Sequence, residues 1–72
     1  MSEIEPFAVV ALLKDLPEHG LVRGQVGTVV EALSPFMVEV EFSNDKGETY
    51  ALLSLRSDDL IRLHHSPLED VA

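Results

Sequence analysis

Phe36-Met37-Val38-Glu39-Val40-Glu41-Phe42 is the stretch on which the reading of this chain turns. Phe36, Val38, Val40 and Phe42 alternate with Met37, Glu39 and Glu41, and a period of two places these sets on opposite faces of a β-strand. The register of that strand is pinned. A slip of one residue would bury both glutamates, at a cost of several kcal/mol in unpaired charge.

Toward the C-terminus, Asn44-Asp45-Lys46-Gly47 has the composition of a hairpin loop, and Glu48 to Leu55 reads as the next strand. Ala51, Leu53 and Leu55 share its inner face, although Tyr50 and Leu52 blur the alternation. Ser57-Asp58-Asp59 can cap a single helical turn, after which Leu60 to Leu63 makes a short closing strand. Toward the N-terminus, Gln25 to Leu33 forms a strand between Gly24 and Ser34-Pro35. Gly27 inside it calls for a bulge or the close approach of another backbone. Lys14 to Arg23 is a long loop, because Pro17 removes a ladder donor and Gly20 permits a tight reversal. Phe7 to Leu13 is the first strand, apolar enough to be covered on much of both faces.

The sum is an all-β chain: a small five-stranded SH3-like barrel with a long first loop and a short helical turn before the last strand. A sandwich would need more strands. The barrel is expected over residues 7–63, with a flexible N-terminus over 1–6 and a loosely held tail over 64–72. Leu68 and Val71 in that tail could dock on a neighbouring chain.

With 72 residues the chain has material for one core only, and a domain of this size leaves little for a deep cleft. It contains no cysteine, so disulfides and thiolate metal sites are ruled out and a reducing cytosol suits it. The first residues lack signal-peptide form, and no apolar run approaches the ~20 residues that span a bilayer. The expectation is a soluble cytoplasmic protein. Thirteen acidic residues against five basic ones give a formal net charge of −8, which repels phosphate backbones and anionic lipid and favours basic partners.

Asp15-Leu16-Pro17-Glu18-His19-Gly20-Leu21 and Arg23-Gly24-Gln25-Val26-Gly27-Thr28-Val29-Val30 resemble a family of small stand-alone bacterial proteins known only as a domain of unknown function. The similarity runs on through Val38 to Phe42, the turn at Gly47, Tyr50-Ala51-Leu52-Leu53 and Leu60. It implies an SH3-like barrel and brings no activity with it. More locally, Gly24 to Val29 is similar to the glycine-containing strand of KOW modules, which contact RNA and nucleoproteins, and to the barrel of nitrile hydratase β subunits. The basic residues that accompany nucleic-acid binding in KOW modules are missing here.

The chemistry-bearing residues do not assemble into a catalytic set. His64 and His65 are adjacent and point to opposite faces of an extended chain, so with His19 or Glu18 they make at most a surface cation site. Glu39 and Glu41 lie roughly 7 Å apart by strand geometry, but an acid and base pair also needs a cleft and a raised pKa. No serine sits in a nucleophile elbow, and Gly24 and Gly27 precede strand residues rather than a phosphate-binding helix. No cofactor, metal or enzymatic activity is therefore expected. Phe7, Phe36 and Phe42 are expected inside by their phase, which leaves Tyr50 as the one stacking surface for nucleic acid, beside Lys14, Arg23 and Lys46.

The reading that remains is a non-enzymatic protein–protein interaction module. Its candidate contact residues are Glu18, His19 and Leu21 in the long loop and Glu39 and Glu41 on the strand, with the choice between loop and strand open. The expected partner is another protein, basic in character, for which a neighbouring gene is one source. Self-association through exposed strand edges is a second expectation. A KOW-like RNA or nucleoprotein binding module is the alternative.

Overall fold

The alternation in the third strand sets the core of the computed structural model, which describes residues 5–64. The strands are β1 (Val9–Leu12), β2 (Val26–Ala32), β3 (Met37–Ser43), β4 (Thr49–Arg56) and β5 (Leu60–Arg62). Short 3-10 turns occupy Pro17–His19 and Ser57–Asp59. On β3, Val38, Val40 and Phe42 are buried, while Glu39 and Glu41 take the other face. The fourth strand keeps the same parity: Leu55 is buried, and Ala51 and Leu53 pack against the core half-covered.

All five strands pair antiparallel in one sheet of order β4-β3-β2-β1-β5. The ladder does not close, so β4 and β5 are its two edges. The sheet nevertheless wraps a single cluster. Val10 and Leu12 of β1, Val29 of β2, Val38, Val40 and Phe42 of β3, Leu55 of β4 and Leu60 of β5 all belong to it. A flat sheet could not bring its two edge strands into one core, so strong curvature follows from this packing.

Gly27 sits where the core leaves no room for a side chain. It pairs with Val10, and a Cβ there would stand 2.7 Å from Val40 Cγ1 and 2.9 Å from the Phe42 ring. What approaches this glycine is thus a pair of core side chains rather than another backbone. A bulge does interrupt β2, but farther on, between Val29 and Glu31. A second irregularity opposes Phe42 and Ser43 to Ala51 and Thr49, which leaves Tyr50 as an extra residue in β4.

Two aromatic residues do not follow their expected phase. Phe7 is 78% exposed and Phe36 63% exposed, so Phe42 alone of the three phenylalanines lies in the core. The cause is local backbone geometry. The Ala8 N–H donates to the Glu5 carbonyl, closing a turn with Pro6 and Phe7 at its centre, and Phe7 holds φ at 71°. That conformation normally takes glycine, and it directs the side chain away before β1 begins at Val9. Phe36 likewise precedes β3. It lies in the turn where Ser34 Oγ accepts from the N–H groups of Phe36 and Met37.

The long loop is better tied down than its composition suggests. Leu16 and Leu21 form an isolated β-bridge, and both are buried in the core cluster. Asp15 accepts a hydrogen bond of 2.7 Å from the Arg23 N–H. Around the second 3-10 turn, no side chain caps the helical start. Asp59 instead pairs with Lys14 at 3.2 Å, and Ser57 hydrogen-bonds the Phe36 carbonyl through both its N–H and its hydroxyl. Glu5 meets Arg62 at 3.0 Å, so chain contacts extend ahead of Phe7. Most of the expected 1–6 and 64–72 extensions, with Leu68 and Val71, lies outside the described residues. Among the described residues no helix is long and apolar enough to cross a membrane.

Candidate functional site

The outer face of β2 and β3 carries three carboxylates, and the bulge in β2 is what assembles them. Val29 pairs with Val40, so a regular ladder would set Glu31 opposite Val38 on the inner face. The extra residue at the bulge shifts the register by one. Glu31 then stands opposite Glu39 on the outer face, and Ala32 takes the inner position across from Val38. Residues paired this way have Cβ atoms about 4.5–5.5 Å apart. Glu41 lies two residues along from Glu39, between Thr28 on one side and Leu52 on the other.

Glu39 and Glu41 are half-buried by these neighbours, whereas Glu31 is exposed. The Thr49 hydroxyl donates to the Glu41 carboxylate, and Ser54 stands opposite Glu39. Arg56, opposite Met37, is the cation nearest along this face, and it pairs with Asp58 rather than with these carboxylates. The ion pairs among the described residues are Lys14 with Asp59, Arg56 with Asp58, and Arg62 with Glu5. Like charges directly across a ladder tend to destabilise a sheet.

The loop residues, the other candidate contact surface, are not bonded to this face among the described residues. Glu18 and His19 are exposed on the 3-10 turn, which Gly20 closes at φ 70° by donating its N–H to the Pro17 carbonyl. Leu21, expected to face a partner, is only 1% exposed. It packs with Leu16 in the core, because the loop folds over the inner face of the sheet and needs an apolar anchor there. Glu39 and Glu41 look out from the opposite face. No hydrogen bond or ion pair among the described residues links Glu18 or His19 to either of them.

The residues considered for nucleic acid come from separate segments of the chain. Lys14 is held by Asp59, Arg23 and Lys46 lie in separate loops, and Tyr50 accepts a 2.6 Å hydrogen bond from Gln25 Nε2. Among the described residues no group of three or more histidine and carboxylate side chains is placed to hold a metal ion. His64 is exposed, and His65 lies outside the described residues. A half-open cavity of about 330 Å³ lies between the N-terminal turn and the β2–β3 connection, lined by Glu5, Pro6, Ala32, Ser34, Pro35, Val38 and Ser57. Its walls are mainly apolar and bring one carboxylate near two hydroxyls.

Glu31 was not singled out from the sequence, since its place beside Glu39 depends on a one-residue irregularity in a long-range ladder. The signal that could have found it is the run Val29-Val30-Glu31, where two valines in succession break the alternation just before the acid.

The fold and this face together define a small all-β domain with one open, strongly curved antiparallel sheet and an acidic outer surface. The chain belongs to the family described as "Domain of unknown function (DUF4926)", whose match spans residues 7–62. No curated protein and no solved structure matches it.

Proposed function

We propose that this chain is a non-enzymatic protein–protein interaction module of SH3-like type that presents Glu31, Glu39 and Glu41 to a basic partner protein in the cytoplasm. The SH3-like assignment draws support from the strand order, the close packing against Gly27, the long loop after β1 and the 3-10 turn before β5. One observation carries the functional part: two carboxylates oppose each other across a ladder, and neither is in an ion pair among the described residues. Such a pair opposes folding, and a cationic partner would remove the repulsion on binding.

The proposed contact surface is the strand face rather than the loop, with Glu18 and His19 at most a separate point of contact. The RNA-binding alternative draws less support, because Lys14 is engaged by Asp59 and the outer face is acidic. Affinity capture from the native cell, with mass-spectrometric identification, tests the proposal. The wild-type chain should retain a basic protein that the Glu39→Lys/Glu41→Lys variant loses. Equal retention by both chains, or capture dominated by nucleic acid, would overturn it.

A further inference from the structure

We propose that β4 is a dimerisation edge, through which two copies of this chain join antiparallel about a two-fold axis into one continuous sheet. The two edges of the sheet are unlike. β5 has three residues and ends at Arg62, whose guanidinium is held by Glu5. Short length and a terminal charge are the usual defences of an edge strand. β4 has eight residues, and from Thr49 to Leu55 it contains neither a charge nor a proline. The irregularity at Tyr50 confines its regular part to the stretch from Ala51 to Arg56.

In an antiparallel ladder every second residue turns both its N–H and its C=O away from the partner strand. On β4 these outward groups find no backbone partner among the described residues. The side chains point the same way. Leu52 is 54% exposed on the outer face, and Ala51 and Leu53 on the inner face are only partly covered by the core. An added strand would supply the missing hydrogen bonds and cover apolar surface on both faces.

Three features single out a second copy as the occupant. An antiparallel pairing that uses the outward groups of both strands matches odd residues with odd and even with even. Ala51, Leu53 and Leu55 of each copy therefore stay inside, and Leu52 and Ser54 stay outside. The first charges flanking the neutral stretch are Glu48 before it and Arg56 after it, the latter 3.7 Å from Asp58, so antiparallel order brings Glu48 of one strand toward the Arg56 of the other. Glu31 and Glu39 lie on β2 and β3, so each copy meets the other along the edge set apart from that carboxylate pair by Ser54 and its neighbours.

Because each copy carries a net charge of −8, added salt should strengthen the dimer by screening the repulsion between them, the reverse of its effect on a protein–RNA complex. Sedimentation equilibrium of the full chain, over roughly a hundredfold range of concentration, should show the mass rise from monomer toward dimer. The rise should be steeper in high salt. Leu52→Lys places two lysines at or near the axis and should hold the chain monomeric. At concentrations where the wild type is monomeric its melting curve should not fall below the wild type's, because this side chain is exposed, whereas at dimerising concentrations the wild type should melt higher. Ile61→Lys on the opposite edge should dimerise like the wild type. Hydrogen exchange of alternate β4 amides should slow as concentration rises. A monomeric mass throughout the range overturns the proposal. So does a dimer that survives Leu52→Lys, or protection that develops on β5 instead.

Discussion

The two faces of β3 have been built under different constraints. On the inner face Val38, Val40 and Phe42 are essentially sealed, and Gly27 has given up its side chain to make room for two of them. On the outer face Glu39 stands opposite Glu31, neither of them in an ion pair among the described residues, and Glu41 accepts a hydrogen bond from the Thr49 hydroxyl. One strand thus carries a surface optimised for packing and a surface that opposes it. The lesson is that the outer face is not explained by stability, and this makes it the place to look for a partner.

The contrast can be broken by substitution, beginning with the largest effect. Phe42→Ala should lose about 3–5 kcal/mol, comparable to the whole stability of so small a domain, and leave much of the population unfolded at room temperature. Chemical denaturation checks this. An unchanged midpoint would mean that the inner face is not the core. Leu21→Ala should cost somewhat less, about 2–4 kcal/mol, since a loop can settle partly into the space left behind. If the loss is negligible while partner capture fails, Leu21 is a contact residue after all and its burial has been misread.

Gly27→Ala sharpens the same side of the comparison. The added methyl meets Val40 and Phe42 well inside van der Waals contact, and the overpacking should destabilise by about 1–3 kcal/mol. Pairing it with Val40→Ala should recover part of that loss in a double-mutant cycle, and strict additivity would show that the two positions do not touch. Smallest of all, Glu39→Lys should raise stability by about 0.5 kcal/mol, because it turns a like-charge pair with Glu31 into an opposite-charge one. The gain should shrink at high salt. A loss of stability on this substitution would remove the argument that the acidic face is kept at the expense of the fold.

Much of the scaffold was legible in the chain because strand parity is a local property. Val38, Val40, Phe42 and Leu55 could be assigned inward from their neighbours in sequence. The hairpin at Asn44 to Gly47 and the helical turn at Ser57 to Asp59 followed from residue types that favour those geometries. The failures were at the margins. Phe7 and Phe36 follow the apolar pattern of their strands yet lie one or two residues outside them, where turn conformations aim the side chain elsewhere. Hydrophobic phase holds only while the backbone remains extended.

The candidate site was half legible for a related reason. Glu39 and Glu41 were visible as an outward pair. Glu31 required knowledge of the β2–β3 register, and Leu21 required knowledge of which side of the sheet the long loop covers. Alternation, turn chemistry and charge are written along the chain, so they determined the all-β class, the number of strands and the sign of the surface. Pairing partners, bulge positions and unprotected edges depend on contacts between residues far apart in sequence. For that reason only the tertiary structure could place Glu31 against Glu39, bury Leu21 and leave β4 at an edge of the sheet, with β3 its one neighbour among the described residues.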